Sequence, residues 1–435
     1  AFAQWRSRAA KRLPELREMV RERADRFGEV AFLLEPDLKE AHGGLRDVHA
    51  LEAIAAAWVA TGSRTGNLPI KNYTTNIYED QTALAGFTPD AIRTFSHRGH
   101  QCSACGMHHC MMHVLPTGKH QGELADEPEY EGWAGCGATI GCTDPASVSW
   151  LNTQVDRAGV DVNEFGWLCG WVMEGQEKGW ISDATLGFHL PWGDAEGAAR
   201  LLWMVARREG FGDLLAGGVK AAAEALGGPA YDAGIFTMKG ATPRGHDHRF
   251  KREELFDTCM SSNATFEVGL AVDAKELGVP ERIDVFDPVE MPESLAKIYG
   301  RRYAEDSLGV CTFTNTVGLR TTLGVVNAIT GWDMDLDELL NVGRRIGNLL
   351  RAFNLRCGIG PAQEFPSPRY GGVPVDGPAQ GVDAGPVWEQ MRDVYYARQQ
   401  WDRATGRPLA SRLLELGLPD VARDLWGEEA VRGAG

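Results

Sequence analysis

The chain lacks the features that mark membrane and nucleic-acid-binding proteins. No apolar run among its 435 residues approaches the roughly 20 residues that a membrane-spanning helix needs. Basic residues are fewer than acidic ones: the chain has 44 Lys and Arg and 60 Asp and Glu, which gives a net charge of -16. Such a charge argues against a nucleic-acid or anionic-membrane partner. We therefore expect a cytoplasmic protein with neither kind of partner.

A regular cysteine framework is also lacking. The chain has nine cysteines, and most of them show no repeated spacing, so we interpret them as reduced thiols and not as disulfides. We expect four of these to be small core residues: Cys136, Cys142, Cys169 and Cys357. The exception is the string HQCSACGMHHC, which places Cys102, Cys105 and Cys110 close together.

Three clustered thiolates with one remote partner are typical of a [4Fe-4S] cluster, because a local loop holds three irons and a second segment supplies the last ligand. The remote partner here is Cys311, in EDSLGVCTF. Zinc is the alternative, since a C-x2-C pair with neighbouring histidines fits it as well. Those histidines are His108, His109 and His113.

Cys311 ends a string, DSLGVC, that has a near copy earlier in the chain. The copy is DRAGVD, at residues 156–161, and both strings contain a glycine turn after an aspartate. A single string of this kind arises by chance wherever a helix ends in glycine. Two copies, of which the second supplies a cluster cysteine, favour a shared function.

The paired strings resemble the tungsten-containing aldehyde ferredoxin oxidoreductases. In that family D-x-x-G-L-D and D-x-x-G-L-C loops grip the two pterins of a bis-pyranopterin metal cofactor, and the loop cysteine is the fourth cluster ligand. Further stretches resemble the family in the same order, so that the resemblance covers about 62–435. They are GNLPIKNY (66–73), EPEYEGW (127–133), NEFGWLCGWVMEGQEKG (163–179), REGFGDLLAGGVKAAAEALG (208–227), MKG (238–240) and 395–422.

The resemblance implies a cofactor set and its ligands. A carboxylate can accept hydrogen bonds from the amino-pyrimidine edge of a pterin, and glycine lets the backbone approach it closely. The implied pterin-binding residues are Asp156, Gly159, Val160, Asp161, Asp306, Gly309 and Val310. The implied cluster ligands are Cys102, Cys105, Cys110 and Cys311. The alternative for the aspartates is that they cap helices.

The resemblance also implies a proton-transferring glutamate. Glu131, in the segment PEYE, stands before Asp156 at the spacing of the family's active-site glutamate. In a dry cavity its pKa would rise, so that it could exchange a proton at neutral pH. Glu129 is the neighbouring candidate, and an exposed residue in an acidic run is the other interpretation.

The chain departs from the family at three places. The third cysteine gap is four residues where the family has three, and no histidine stands in 259–269, where aldehyde-oxidising members carry one. His246 and His248 are the candidate substitutes, unless they form a loop metal site or lie on the surface. Cys259 is either a thiolate ligand of the metal or an inert buried thiol. The E-x-x-H that bridges some family dimers is absent.

Residues 27–60 resemble a different family. They match the E-P-x-x-K-x-x-x-G-G-L-R-D segment of the bacterial uridylyltransferase that modifies the PII nitrogen-signalling protein. The family's metal-binding carboxylates lie upstream of this segment and are absent, so we expect no nucleotidyl transfer. The β-rich pterin platform that begins the oxidoreductases is also absent, and the chain opens with Ala. We interpret the sequence as a chimera or gene-model fusion.

The predicted fold is mainly α, with two helical domains of the oxidoreductase type at 62–234 and 235–435 after an unrelated helical fragment at 1–61. Apolar periodicity predicts helices at 3–26, 195–208, 213–226, 334–353 and 387–400. Gly and Pro clusters predict irregular segments at 61–69, 226–245 and 358–386.

The predicted function is that of a truncated catalytic subunit with a [4Fe-4S] cluster and a tungsten or molybdenum bis-pyranopterin. It would oxidise a small aldehyde or act on an acyl substrate, with ferredoxin or an iron-sulfur subunit as electron partner, and a homodimer is compatible with it. The alternatives are a low-potential reductase similar to the tungsten subunit of benzoyl-CoA reductase, and an inactive truncated iron-sulfur protein.

Overall fold

A computed structural model describes residues 18, 22, 62–78, 81–100, 110–263, 277–309 and 318–434. Within these ranges the protein is mainly helical, which confirms the predicted fold class. The predicted helix at 3–26 and the fragment 1–61 lie outside the described residues, apart from Glu18 and Glu22, which are helical. In the described ranges, no helix combines the length and the apolar character needed to cross a membrane.

One small sheet interrupts the helices. Its strands are β1 (Ser96–His100), β2 (Cys110–Val114) and β3 (Leu124–Asp126), paired antiparallel in that order. His100 pairs with Cys110 across β1 and β2. Cys102 and Cys105 lie between these two strands in the sequence and outside the described residues.

The helices before residue 235 form one series. They are α1 (Pro89–Arg93), α2 (Tyr130–Gly135), α3 (Pro145–Ala158), α4 (Val162–Lys178), α5 (Asp183–Leu186), α6 (Ala195–Arg207), α7 (Phe211–Leu215), α8 (Gly218–Leu226) and α9 (Gly228–Asp232). Short 3-10 turns lie at Gln81–Phe87 and Ala138–Ile140.

A second series of helices follows. They are α10 (Arg252–Met260), α11 (Glu290–Ile298), α12 (Arg301–Ser307), α13 (Leu319–Thr330), α14 (Leu336–Arg356), α15 (Trp388–Gln399), α16 (Ala410–Glu415), α17 (Pro419–Trp426) and α18 (Glu428–Ala434). Further 3-10 turns lie at Pro361–Gln363 and Gly385–Val387.

Local sequence signals account for many helix ends. Asp144 caps α3 by accepting a hydrogen bond from the Ser147 amide at 3.0 Å, and Asp335 begins α14 with a capping box. The predicted helices at 195–208, 334–353 and 387–400 are confirmed by α6, α14 and α15. The single helix predicted at 213–226 is wrong. Gly218 adopts a positive φ of 87°, and the chain turns there between α7 and α8.

The main hydrophobic core runs through both predicted oxidoreductase domains. Its apolar side chains extend from Leu68 to Trp401, and α4 at its centre buries Trp167 and Trp171. The Ser367 hydroxyl donates to the Gly234 carbonyl at 2.6 Å, which ties the two halves together. The division at residues 234 and 235 stays a prediction.

The cysteines predicted to be core residues are mostly confirmed. Cys136, Cys142 and Cys169 are buried. Cys357 is exposed, so its assignment to the core is wrong. It follows the last turn of α14, where the chain has already left the helix packing. Cys259 is buried, and its burial raises the pKa of the thiol, which favours an inert thiol over a thiolate ligand.

Candidate active site

Glu131 lies in the first turn of α2, against the loop that carries the two predicted histidines. Gly245 allows this contact: a Cβ atom there would lie 2.8 Å from the Ala134 Cβ and 3.5 Å from the Glu131 Cα. The loop therefore rests directly on the helix, and the His246 ring stacks on Tyr130 with their centroids 4.5 Å apart. Three candidate residues from distant parts of the sequence thus come together.

The two histidines point to the same side of the loop. Their ring centroids are 6.2 Å apart, and both residues are buried, so the interpretation of them as surface residues is wrong. Asp247 between them is paired with Arg249 at 2.7 Å. The carboxylate thus serves the loop's own fold and does not link the imidazoles.

His248 is held by two partners. Its Nδ1 lies 2.6 Å from the Tyr370 hydroxyl, and its Nε2 lies 3.2 Å from Oε2 of Glu254. Burial lowers the pKa of His248, and the carboxylate of Glu254 opposes that shift only in part. Burial also lowers the pKa of His246 well below its usual range. Both imidazoles are therefore neutral at pH 7.

Glu254 stays ionised although it is buried. Desolvation would raise its pKa, but the adjacent His248 ring and the positive charges of Arg244 and Lys251 hold the pKa well below its usual range. Arg244 lies 2.8 Å and Lys251 3.0 Å from its oxygens. A fixed anion thus stands behind the histidine pair.

Glu129 and Glu131 form a carboxyl pair at the edge of this cluster, where Glu129 is exposed and Glu131 half-buried. Desolvation, a hydrogen bond with Glu131 and the like charge of Glu131 raise the pKa of Glu129 to about 8, and Arg244 opposes the rise. The pair therefore retains a proton at neutral pH. Sequence reasoning expected the raised pKa at Glu131, whereas the structure raises the pKa of its neighbour Glu129.

The two predicted pterin loops have the same local geometry. Gly159 follows α3 with φ 67°, and Gly309 follows α12 with φ 69°. Each glycine amide donates to the carbonyl of the loop aspartate, Asp156 at 3.1 Å and Asp306 at 3.0 Å. Among the described residues, a Cβ at either glycine would meet nothing within 4 Å, so the backbone of both turns is open there. Their role in binding a pterin stays a prediction.

Asp156 lines a cleft of about 450 Å³, together with Asp126 and Arg157. Its pKa is raised, chiefly by burial and then by Asp126. Asn152 donates to Asp156 at 3.1 Å and packs against Gly132, the residue after Glu131. Asn152 thus connects the first predicted pterin loop to α2, the helix that carries Glu131.

The structure gives less support to a pterin-binding role for the other loop residues. Asp161 accepts from the Glu164 amide at 2.8 Å, so the capping interpretation holds for this aspartate, and Val160 is half-buried beside it. Asp306 is exposed, with its carboxylate 3.4 Å from Arg302. Val310 lies outside the described residues.

The predicted cluster ligands stay a prediction. Cys102, Cys105 and Cys311 lie outside the described residues, and Cys110 is known only as the first residue of β2. In the part of the chain that the structure covers, no group of three or more His, Cys, Asp or Glu is arranged to hold a metal ion.

The zinc interpretation loses one of its three histidines. His113 is buried, with Nδ1 2.9 Å from the Ser149 hydroxyl and its ring edge-on to Phe95. Burial lowers its pKa to about 4. It is thus part of the core, while His108 and His109 lie outside the described residues.

Sequence reasoning missed four residues of the site: Tyr73, Arg244, Glu254 and Tyr370. Tyr73 stands in the stretch GNLPIKNY, which resembles the family but carries no sign of a chemical role for the tyrosine. No motif marks the other three: Arg244 and Glu254 meet through the fold of the histidine-bearing loop and the start of α10, and Tyr370 contacts His248 from 122 positions away.

The chain belongs to the aldehyde ferredoxin oxidoreductase family. Residues 43–418 match the family described as "Aldehyde ferredoxin oxidoreductase, domains 2 & 3". The tungsten-containing aldehyde ferredoxin oxidoreductase of Pyrococcus furiosus is 30% identical over 366 residues, which are 82% of this chain and 58% of that protein. The aliphatic sulfonate oxidoreductase, WOR-like subunit, of the same organism is 25% identical over 396 residues. The chain thus spans about 58% of the length of these relatives.

A second relative confirms the resemblance of the N-terminal segment. The bifunctional uridylyltransferase/uridylyl-removing enzyme of Streptomyces coelicolor is 64% identical over 65 residues, which are 15% of this chain and 8% of that enzyme. Among solved structures, the active site complex BamBC of benzoyl coenzyme A reductase aligns with a TM-score of 0.67 at 17% identity. That alignment covers 95% of this chain and 65% of the other, and it establishes a common fold.

Proposed function

We propose that this chain is the cofactor-binding part of the catalytic subunit of a tungsten or molybdenum oxidoreductase, which oxidises small aldehydes to carboxylates. Ferredoxin or an iron-sulfur subunit would accept the electrons. The observation that carries the proposal is that the loop carrying the buried histidine pair rests on α2: the His246 ring stacks on Tyr130, and the Gly245 position lies against the backbone of Glu131. Cytoplasmic location and a homodimer stay predictions.

The loops would hold the cofactor. The backbone at Gly159 and Gly309 is open to a pterin, and Asp156 and Asp306 would accept hydrogen bonds from the amino-pyrimidine edges. Cys102, Cys105, Cys110 and Cys311 would ligate the [4Fe-4S] cluster. When bound, the bis-pyranopterin centre supplies the two-electron redox step.

The chain's own residues would manage protons. Oxidation of an aldehyde consumes one water and yields a carboxylic acid, two protons and two electrons, which the acceptor removes. Glu131 would take the first proton, and its position in the first turn of α2, against the loop that carries the two histidines, supports this role. The neutral rings of His246 and His248 would orient a substrate beside the carboxyl pair, while Glu254 next to His248 stays ionised.

A low-potential reductase is the second candidate. The segment 259–269 lacks the histidine of aldehyde-oxidising members, and the fold is shared with a benzoyl-CoA reductase complex. An acyl substrate would then receive the electrons, and the same carboxyl pair would donate protons.

Metal analysis and turnover of the anaerobically purified full protein test the proposal. About four iron atoms with one tungsten or molybdenum, and aldehyde-dependent reduction of a viologen dye, are expected. Acyl-dependent oxidation of the reduced dye would favour the reductase. Iron without tungsten or molybdenum would mark an inactive truncated iron-sulfur protein.

A further inference from the structure

The turn at Lys71, Asn72 and Tyr73 has an unusual backbone. All three residues have positive φ, at 42°, 53° and 61°, and none of them is glycine. Side chains disfavour this left-handed region because the Cβ approaches the following carbonyl oxygen. Such a conformation persists only where the surroundings enforce it, and it is often found where a fold must place a functional group.

The surroundings of the turn do enforce it. The amides of Lys71 and Asn72 donate to the carbonyls of Ala138 and Thr139 at 3.0 and 3.1 Å. The side-chain amide of Asn72 donates to Glu174 on α4 at 2.7 Å. The turn is therefore anchored from two sides by elements of the core.

The Tyr73 hydroxyl of this turn contacts the loop that carries His246 and His248. Tyr73 is buried, and its hydroxyl donates to the carbonyl of His246 at 2.5 Å and accepts from the amide of His248 at 3.1 Å. Its ring packs edge-on against Trp167, with the centroids 4.9 Å apart, and lies beneath the Arg249 guanidinium at 4.2 Å. One side chain thus holds the main chain on both sides of Asp247.

We propose that Tyr73 is a positioning residue: its hydroxyl fixes the spacing and tilt of the His246 and His248 rings relative to Glu131, and the left-handed turn exists to hold it there. The catalytic importance of this position rests on the function proposed above. Burial raises the pKa of Tyr73 well above its usual range, so that the phenol keeps the proton it donates.

The direct test is Tyr73→Phe, which removes the hydroxyl and keeps the ring contacts. Its first readout is the rate at which diethyl pyrocarbonate modifies His246 and His248, followed by mass spectrometry. The exposed His189 is the internal reference. We expect the modification rate to rise about tenfold, because the loop loses a buried hydrogen-bond pair and opens more often.

The second readout is turnover as a function of pH. We expect Tyr73→Phe to lower kcat with little change in KM and to shift the limb of the pH profile, since the rings lose their alignment with the base. Tyr396→Phe is the matched control. It removes a buried hydroxyl that contacts Arg351 and Glu364, so it should lower the melting temperature but leave histidine protection and the pH profile unchanged.

Unchanged protection and an unchanged pH profile in folded Tyr73→Phe would overturn the inference. So would equal effects in the Tyr396→Phe control. If Tyr73→Phe does not fold, Asn72→Gly loosens the same turn while keeping Tyr73, and it should also raise modification of His246. If Tyr73→Phe exposes His246 and His248 to modification but the wild-type protein has no redox activity, the positioning role of Tyr73 is supported and the proposed function is refuted.

Discussion

Replacement of Glu131 by glutamine tests the candidate base. The change keeps the shape of the side chain and its place in α2, but it removes the carboxylate beside Glu129 and the histidine loop. Loss of a general base typically costs about 10²-fold or more in turnover, which corresponds to about 2.7 kcal/mol of activation free energy. The metal and cluster contents should not change, because Glu131 is not among the predicted ligands.

The pH dependence gives a second, sharper readout. In the wild-type protein the carboxyl pair loses its proton as the pH rises through about 8, the pKa of Glu129. Desolvation raises that pKa first, and Glu131 then adds a hydrogen bond and a like charge. Glu131→Gln removes the like charge, so the pKa of Glu129 should fall from about 8 toward its ordinary value. The pH at which turnover changes with the ionisation of Glu129 should therefore be lower in Glu131→Gln than in the wild type.

Glu129→Gln is the matched control, since it leaves the Glu131 carboxylate in place. We expect turnover within about threefold of wild type and loss of the limb near pH 8. Full turnover in Glu131→Gln with the limb intact would refute the assignment. A large loss only in Glu129→Gln would reverse the two roles, and no loss in either variant would transfer the base function to His246 or His248.

Four further predictions concern the cluster and the stability of the fold. Cys311→Ser should abolish the [4Fe-4S] electron paramagnetic resonance signal, and a full signal would exclude Cys311 as a ligand. Deletion of residues 1–61 should change the melting temperature by less than about 3 °C, and a larger loss would show that the segment packs on the remainder. Arg351→Met should lower the free energy of unfolding, measured by denaturant titration, by about 3–5 kcal/mol, because it leaves Glu364 buried without its 2.7 Å ion pair. Replacing Glu364 by Leu in the same protein should restore most of the lost stability. His120 places one ring nitrogen on each of two carboxylates, at 2.8 and 2.6 Å, an arrangement that needs the protonated ring. Partial desolvation lowers the pKa of His120, but these hydrogen bonds outweigh it and raise the pKa. The stabilisation by His120 is therefore present below its ordinary pKa and is lost as the pH rises through its raised pKa. The melting temperature of His120→Gln should not show this dependence on pH.

Much of the architecture follows from short stretches of sequence. The apolar periodicity of 195–208, 334–353 and 387–400 predicts helices that the structure contains, because such patterns act within a few turns of the chain. The two D-x-x-G strings predict turns after helices, and both glycines adopt the left-handed conformation there. The break between α7 and α8 escaped this reasoning, since apolar residues continue in phase across Gly217 and Gly218.

The sequence by itself thus determined the helical class, the family and the identity of the candidate residues. Only the tertiary structure decided which of them meet. Tyr130, next to Glu131 in the sequence, and His246 are 116 positions apart, and their contact depends on the missing side chain of Gly245 and on the hydroxyl of Tyr73. The pKa of Glu129 likewise depends on desolvation by residues from other elements. Burial and long-range hydrogen bonds arise from packing, which no local pattern records.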